Sequence, residues 1–283
     1  MPEFLPPNVK RLLVEFVRDP HIPAIVITGL PVDESLPPTP DDGRRPAEKS
    51  AISESILTGV SWFAGEVLSY REELEGMPTH QLAPQKDKDR EQSNGGRDRF
   101  KRHNDNRFIP EPFRQRYIGL FGLRNTENVA TTFLPVTDIL KQLEPRRIRD
   151  LRQPLYGLKG PASFNLGGHY ITDYRPILYT DSLGRECISL PSADVEPKNS
   201  LAKTTFAEFR YLIEEVITPR EIIIRPGTLC LFRDDLGIHG RDAVSGDRWL
   251  QRIYVAPTLA ALRQATGSDP REFCFSVRRL LGL

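Results

Sequence analysis

The chain of 283 residues has the composition of an ordinary soluble enzyme, with 39% hydrophobic and 27% charged residues. Its net charge of +1 produces no global field that would recruit nucleic acid or an anionic membrane, and its apolar stretches are too short to span a bilayer. The N-terminus lacks the features of a signal peptide, and three widely spaced cysteines argue against a disulfide framework. The sequence therefore predicts a cytoplasmic protein without nucleic-acid or membrane partners, and it indicates no oligomeric state.

The first hundred residues predict a helix, a strand and further helices before a long polar loop. Residues 8–18 carry apolar side chains at helical spacing, and residues 22–30 are rich in the β-branched side chains of a buried strand. Proline and aspartate in 31–46 predict a loop, and 47–74 has the pattern of one or two amphipathic helices. The stretch 80–100 predicts an active-site lid, because such long unstructured connections are uncommon within compact domains.

Short strand candidates dominate the rest of the chain, and a predicted helix at 204–217 interrupts them. They lie at 116–123, 128–135, 162–168, 175–180, 185–190, 221–226, 228–233 and 248–257. Many short strands with turns between them, preceded by helices, predict a β-sandwich or barrel with helical decoration. No linker divides the chain, so residues 1–283 are predicted to form a single domain.

Two fragments supply the residue types of a metal site. His103 and Asp105 stand at i and i+2, so their side chains share one face of a strand. His239 follows a predicted strand pair that can return to the same end of the barrel. Two histidines and one carboxylate leave coordination positions open, as expected of non-haem iron(II) oxygenases. The same ligands also suit a zinc hydrolase, so both chemistries stay open on these residues alone.

Two arginines follow the second histidine. Arg248 and Arg252 come nine and thirteen residues after His239, and at i and i+4 they share one face of a strand. Guanidinium groups bind carboxylates bidentately, so the pair suits a dicarboxylate co-substrate, for which a zinc hydrolase has no use. The alternative is that one arginine pairs with a nearby aspartate: Asp234, Asp235 or Asp247.

Several segments resemble, in order, the TauD/clavaminate synthase-like family of 2-oxoglutarate oxygenases. They are H-N-D at 103–105, T-T-F at 131–133, R-P-G-T-L-C-L-F at 225–232 and H-G-R-D…D-R-W-L-Q-R at 239–252. The last block, with S-N-G-G at 93–96 and GLPVD at 29–33, looks most like the branch that hydroxylates free or carrier-bound amino acids. The resemblance implies a mainly β fold with flanking helices, a cupin-like distorted double-stranded β-helix (jelly roll).

The resemblance also assigns roles to residues of the site. It implies that Fe(II) is bound by His103, Asp105 and His239, and that 2-oxoglutarate and O2 are co-substrates. Arg248 would bind the distal carboxylate of 2-oxoglutarate with help from a threonine hydroxyl, Thr132 by preference and Thr131 otherwise. The implied reaction hydroxylates an unactivated C–H while 2-oxoglutarate is decarboxylated to succinate. A carboxylate at position 105, where related halogenases have a small residue, argues against halogenation.

The predicted substrate is an amino acid or a derivative of one. Ser93 and Asn94 would lie near its polar groups, and Arg252 near its carboxylate or the oxoacid end of 2-oxoglutarate. Relatives acting on basic side chains have acidic residues upstream of the distal histidine, so Asp194 and Glu196 favour arginine or lysine. The alternative for this pair is two solvated loop carboxylates.

Other readings stay open at this point. His169 is predicted to be a structural or substrate-pocket histidine rather than a metal ligand, because Gly167 and Gly168 make a regular element around it improbable. A desaturase or cyclase of the same family would have the same site. Outside the enzymes, the alternative is a jelly-roll binding protein that has lost its chemistry.

Overall fold

The computed structural model describes residues 5–164, 166 and 170–283. Its helices are α1 (Pro7–Arg18), α2 (Ile52–Ser61), α3 (Val136–Gln142), α4 (Pro145–Leu151), α5 (Ser200–Tyr211), α6 (Ala260–Thr266) and α7 (Val277–Leu281). Its strands are β1 (Ala24–Ile27), β2 (Glu66–Tyr70), β3 (His80–Leu82), β4 (Phe100–His103), β5 (Tyr117–Asn125), β6 (Thr131–Pro135), β7 (Tyr156–Leu158), β8 (Leu178–Thr180), β9 (Glu186–Ile188), β10 (Val195–Pro197), β11 (Arg220–Ile222), β12 (Leu229–Arg233), β13 (Gly237–Arg241), β14 (Arg248–Ala256) and β15 (Cys274–Phe275). The protein is therefore mainly β with flanking helices, and none of the described helices is long and apolar enough to cross a membrane.

Two sheets form the centre of the molecule. The larger has the strand order β1-β12-β5-β14-β2-β15, with β3 also paired to β14, and the smaller has the order β11-β6-β13-β4. Pairing is antiparallel throughout these sheets except between β2 and β15. The β8–β9 hairpin and the antiparallel pair β7–β10 lie outside them. Strand β14 is central to the larger sheet, which is why its side chains are buried on both faces.

Alternation along β14 separates two apolar layers. Trp249 and Ile253 point to the layer that α1 and α2 cover, whereas Leu250 and Tyr254 point to a second layer. That second layer includes Phe133 of the smaller sheet, so it lies between the two sheets. The odd-numbered and even-numbered positions of β14 therefore have different environments, and the even-numbered ones face the smaller sheet.

The two central strands of the smaller sheet, β6 and β13, are buried on both faces as well. Phe133 of β6 contacts Phe232 of β12 across the gap between the sheets, with ring centroids 5.6 Å apart. Leu134 and Ile238, on the opposite face, join a cluster with α3, α5 and the outlying hairpins. Because Phe133 and His239 are register partners, His239 also faces the gap between the sheets.

The prediction of helices over 47–74 is right for α2 and wrong beyond it. After α2 a 3-10 turn ends at Ala64, and β2 follows as a strand beside β14. Gly65 has a φ of +146°, and a Cβ there would lie 2.0 Å from the carbonyl oxygen of Ala256. Only glycine therefore lets the chain turn so closely against β14, and this turn ends the helical segment.

The segment predicted as a lid, 80–100, begins with a strand instead of a loop. β3 pairs with β14, with His80 opposite Arg252, and the described chain then forms neither helix nor strand until β4. The prediction of a long connection thus holds for 83–99 only. The strand candidate at 162–168 includes Asn165, Gly167 and Gly168, which lie outside the described residues.

Candidate metal centre

Two neighbouring strands bring the predicted metal ligands together. His103 on β4 and His239 on β13 are register partners, and Asp105 follows β4 by two residues. The Oδ1 atom of Asp105 lies 3.2 Å from Nε2 of His103 and 3.7 Å from Nε2 of His239. All three side chains are buried, and one ligand atom of each lies within 4.8 Å of those of the other two. The spacing thus suits a single ion bound by all three.

The orientation of His103 and the protonation state of His239 also suit a metal ion. Nδ1 of His103 lies 2.8 Å from the carbonyl oxygen of Lys101, so Nε2 is directed at Asp105. Burial, reinforced by the charge of His103, lowers the pKa of His239 to about 3. His239 is therefore a neutral imidazole at physiological pH, which is the form that binds metal ions. Its Nδ1 lies 3.7 Å from Oδ1 of Asp234 and has no hydrogen-bond partner among the described residues.

Asp105 is held in place by an arginine and a tyrosine. Its Oδ2 atom accepts a hydrogen bond from Nη1 of Arg252 at 2.8 Å and one from the Tyr254 hydroxyl at 3.2 Å, which leaves Oδ1 for the histidine side. Burial alone would raise the pKa of Asp105, but Arg252 and the two histidines hold it well below its ordinary value. The carboxylate is therefore ionised and aimed, as a metal ligand must be.

Arg252 is neutralised by the protein itself. Besides its bond to Asp105, its Nη2 atom donates to Oε1 of Glu73 at 2.8 Å and lies 2.7 Å from Nδ1 of His80. Its guanidinium carbon also stands 4.5 Å from the ring centre of Tyr254. Arg252 thus lies beside the metal site, as predicted, but two buried carboxylates of the chain already occupy it.

Arg248, four residues earlier on the same strand, has no such partner. It is buried, its Nη2 atom donates to the Thr131 hydroxyl at 3.0 Å, and its Nε has no hydrogen-bond partner among the described residues. Burial lowers its pKa to about 9, and Arg241 contributes further. The suggested aspartate partners contact other arginines: Asp234 with Arg107, Asp235 with Arg185 and Asp247 with Arg124. A buried cation without a carboxylate is costly, so this position suits an anionic ligand.

The preference for Thr132 over Thr131 is wrong. Thr131 contacts Arg248, whereas Thr132 is the register partner of Gly240, and its hydroxyl oxygen would lie 3.1 Å from a Cβ placed on that glycine. Successive side chains of a strand point to opposite faces, so Thr132 faces away from His239.

A cavity of about 520 Å³ opens onto the candidate metal centre. Ser93 and Asn94, both predicted to contact the substrate, lie in its wall. The other polar and charged side chains of the wall are Glu73, Gln81, Gln85, Lys88, Glu91, Gln92, His103, Asp105, Asn106, Ser163, Ser192, Arg252 and Tyr254. The loop 83–99 and the two sheets therefore enclose one volume next to the metal ligands.

The structure does not bring Asp194 and Glu196 to that cavity. Both belong to the β10 region, which pairs with β7 outside the central sheets, and both are exposed. The side chain of Asp194 is 89% exposed, with Lys159 at 3.9 Å. The prediction that they recognise a basic substrate is therefore corrected for the metal cavity: neither residue lies in its wall, and Asp194 lines a neighbouring pocket instead. His169 lies outside the described residues.

Two residues of the site gave no recognisable sequence signal. His80 is 1% exposed although it begins the segment predicted as a lid, and burial lowers its pKa well below the ordinary value. Burial raises the pKa of Glu73 to about 7, and its Oε2 atom has no hydrogen-bond partner among the described residues. A strand of three residues carries too little periodicity to be recognised, and its pairing with β14 is what buries His80.

A widened helical turn supports the strand that carries His103. After α5 the chain forms a π-helical turn, Leu212–Val216. Glu214 in this turn accepts a hydrogen bond from the backbone N–H of Arg102 at 2.9 Å and forms an ion pair with Arg99 at 2.8 Å. Since β4 is the edge of the smaller sheet, Glu214 satisfies a backbone group that has no strand partner.

A second cluster that resembles a metal site is already filled. Asp181, Cys187 and Asp235 offer ligand atoms within 4.8 Å of one another. Arg185 lies among them, with its Nε 2.8 Å from Asp181 and its Nη2 3.1 Å from Asp235. The guanidinium supplies the positive charge there, so the His103 group is the metal candidate.

Comparison with known proteins agrees with this geometry. No family model matches the chain. Enduracididine β-hydroxylase of Streptomyces hygroscopicus is 25% identical over 297 residues, covering 92% of this chain and 84% of that protein. The structure of asparagine oxygenase with Fe(II), (2S,3S)-3-hydroxyasparagine and succinate matches with a TM-score of 0.84 and 26% identity, over 96% of this chain and 85% of that one.

A third match shows the fold alone. OrfP, a non-haem iron oxygenase solved with Fe, succinate and (3S)-hydroxy-L-Arg, has a TM-score of 0.80 at 22% identity, over 94% of this chain and 86% of that one. Over nearly its whole length the chain is thus similar to an amino-acid hydroxylase and to an Fe(II)-containing asparagine oxygenase, and its cluster of two histidines and one carboxylate agrees with this similarity.

Proposed function

We propose that the protein is an Fe(II)- and 2-oxoglutarate-dependent dioxygenase that hydroxylates an unactivated C–H of an amino acid or of a compound derived from one. The observation that carries this proposal is the buried His103, Asp105 and His239 cluster beside Arg248, a buried cation without an acidic partner in the described chain. A zinc hydrolase or a binding protein without chemistry would give no reason for that arginine. The hydroxylases among the relatives support the same conclusion.

The proposed metal ligands are His103, Asp105 and His239. A neutral imidazole at His239 and an ionised carboxylate at Asp105 match the donor set that binds Fe(II) in such sites and leaves positions open for other ligands. When bound, the iron would supply the activation of O2. The contribution of the chain is to keep Oδ1 of Asp105 directed at the histidines, because Arg252 and Tyr254 hold Oδ2.

Arg248 and Thr131 are proposed to bind the distal carboxylate of 2-oxoglutarate. Thr131 is paired with Arg241, two residues along β13 from His239, which corresponds to about 7 Å of strand. A five-carbon dicarboxylate can span this interval, with its oxoacid end at the metal and its distal carboxylate at the arginine. Burial of Arg248 strengthens the ion pair, since water competes poorly there.

The cavity fits a zwitterionic substrate. Oε2 of Glu73 is buried and unbonded, so it suits an ammonium group, and Ser93 and Asn94 offer hydrogen bonds from the facing loop. Glu91, also in the wall, is a second acidic group within the cavity. We therefore infer that a basic amino acid such as arginine is the first substrate to test. Glu73 and Glu91 would then recognise the basic substrate, the role that the sequence predicts for Asp194 and Glu196.

The finer description of the fold is part of the proposal. The two facing sheets are proposed to form the distorted double-stranded β-helix, or jelly roll, of this family, within one domain spanning 1–283. The loop 83–99 is proposed to be the lid over the cavity, because Ser93 and Asn94 reach its wall.

The test is succinate formation by the Fe(II)-loaded protein with 2-oxoglutarate and each of the twenty amino acids, together with O2 uptake. Succinate formation that is stimulated by one amino acid, with a product heavier by one oxygen atom, supports the proposal. A product lighter by two hydrogen atoms would indicate desaturation or cyclisation by the same site. Activity with Zn(II) in place of Fe(II), or absence of 2-oxoglutarate turnover throughout the panel, would contradict it.

A further inference from the structure

Arg241 is a buried arginine that the proposed reaction does not yet use. It follows His239 by two residues on β13, so both side chains face the gap between the sheets. Its Nη2 donates to the backbone carbonyl of Gly96 at 2.7 Å, and its Nη1 donates to the carbonyl of Asp242 at 3.0 Å. Among the described residues its hydrogen-bond partners are therefore carbonyls, while the charges of Asp242 and Asp98 act on it without a direct bond.

Arg241 and Arg248 belong to one cluster around Thr131. Arg241 is the register partner of Thr131, and Arg248 donates to the Thr131 hydroxyl. Directly opposed residues of antiparallel strands have side chains about 5 Å apart. Thr131 thus lies between two buried arginines, and the charge of Arg241 contributes to the lowered pKa of Arg248.

The carbonyl that Arg241 holds belongs to the turn Ser93–Gly96, whose first three residues line the metal cavity. The N–H of Gly96 donates to the carbonyl of Ser93 at 3.2 Å, and the carbonyl of Gly95 accepts from Gln85 at 2.8 Å. A Cβ on Gly96 would lie 2.0 Å from the carbonyl oxygen of Glu91, so the turn packs closely against the segment that precedes it. A change at Arg241 is therefore transmitted to the cavity wall.

We propose that Arg241 is a positioning residue that couples occupancy of the Arg248 anion site to the order of the Ser93–Gly96 turn. An anion at Arg248 offsets the charge of both guanidinium groups, which lowers the cost of holding Arg241 against the Gly96 carbonyl. Binding of 2-oxoglutarate then orders the Ser93–Gly96 turn, which belongs to the wall of the substrate cavity. This inference rests on the proposed function, in which 2-oxoglutarate is that anion.

The test combines calorimetry with hydrogen exchange on the full-length protein, loaded with Fe(II) under anaerobic conditions. Titration with 2-oxoglutarate measures the affinity, and mass spectrometry measures amide exchange over residues 91–99 with and without 2-oxoglutarate. In the wild-type protein we expect 2-oxoglutarate to slow this exchange by about fivefold or more, the lower range of coupling between sites. Arg241→Gln should remove most of the slowing and weaken 2-oxoglutarate binding by a similar factor, since coupling is reciprocal.

The control is Arg225→Gln, which alters an exposed arginine whose Nε donates to Asn128. It should leave both measurements unchanged. Wild-type protein that binds 2-oxoglutarate without any change in exchange over 91–99 would overturn the coupling, and so would full slowing in Arg241→Gln. The exchange measured on the wild-type protein tests the coupling even if Arg241→Gln folds poorly. Absence of 2-oxoglutarate binding to the wild type is a separate result, seen in the calorimetry, and it would overturn the proposed function and the coupling with it.

Discussion

Arg248 and Arg252 lie four residues apart on β14, point to the same side and are both buried, yet their surroundings differ completely. Arg252 contacts the carboxylates of Asp105 and Glu73, whereas the hydrogen bond of Arg248 within the described residues goes to a hydroxyl. Burial alone would lower the pKa of Arg252, but Tyr254, Asp105 and Glu73 raise it above its ordinary value, whereas burial lowers the pKa of Arg248 to about 9. Two arginines on one strand therefore have different electrostatic environments and different roles.

The difference separates structure from function. A buried cation that the chain neutralises stabilises the folded site, because its loss leaves the negative charges of the buried carboxylates without a compensating positive charge. A buried cation without an anionic partner in the protein reduces stability, and such a residue has a function when a bound ligand supplies the anion. Arg252 is the first kind and Arg248 the second, and replacing each of them tests this distinction.

Arg252→Met should have the largest effect on stability. It leaves the charges of Asp105 and Glu73 buried without their common partner, and breaking such a pair costs about 3–5 kcal/mol of unfolding free energy. Urea denaturation of the metal-free protein measures this loss. Arg225→Met is the matched control, since that arginine is exposed. A loss below about 1 kcal/mol would show that Arg252 is not the structural member of the pair.

Arg248→Met should affect 2-oxoglutarate and leave the fold intact. We expect an unchanged or slightly higher unfolding free energy, because an uncompensated buried charge is removed. The apparent KM for 2-oxoglutarate should rise about 30-fold or more, since losing one partner of a buried ion pair costs about 2–5 kcal/mol. Denaturation and succinate formation measure the two quantities. Strong destabilisation with an unaltered KM would reverse the assignment of the two arginines.

Glu73→Gln tests the acidic partner of Arg252 through pH. Burial raises the pKa of Glu73 from its ordinary value to about 7, so the folded protein binds a proton there more readily than the unfolded chain. Its contribution to stability is therefore present below about pH 4.5 and is lost as the pH rises to about 7. The variant should lack this part of the pH dependence, amounting to about 3 kcal/mol across the interval. Denaturation of both proteins at pH 4.5, 6 and 7.5 measures it, and parallel curves would contradict the assignment.

The sequence was sufficient to predict the residues that depend on spacing along one element. The i, i+4 spacing of Arg248 and Arg252 applies to any strand, so their common face follows without the fold. Asp105 reaches His103 although it lies in the turn after β4 and not on the strand. The helix over 8–18 and the strands at 116–123 and 228–233 were confirmed in the same way, as α1, β5 and β12. What the sequence lacked was the partner of each side chain, because a partner lies on another element.

The errors have the same origin. The apolar positions of β2 fit a helix as well as a strand, and only pairing with β14 decides between them. His80 reaches Arg252 because β3 pairs with β14, which three residues of pattern cannot reveal, and Glu73 lies in the turn after β2, the other strand paired with this part of β14. Asp194 and Glu196 carry the acidic groups that would suit a basic substrate, but the pair β7–β10 lies outside the central sheets.

The adjacent threonines offer the smallest and most discriminating change. Thr131→Val removes the hydroxyl that contacts Arg248 and keeps the shape of the side chain, so the apparent KM for 2-oxoglutarate should rise about tenfold, the loss of one hydrogen bond to a charged group. Thr132→Val makes the same chemical change on the opposite face of β6, next to Gly240, and should leave that KM within about twofold. Succinate formation at varied 2-oxoglutarate measures both. A larger effect from Thr132 would mean that the anion site lies on the other face of the smaller sheet, which is incompatible with Arg248 as its cation.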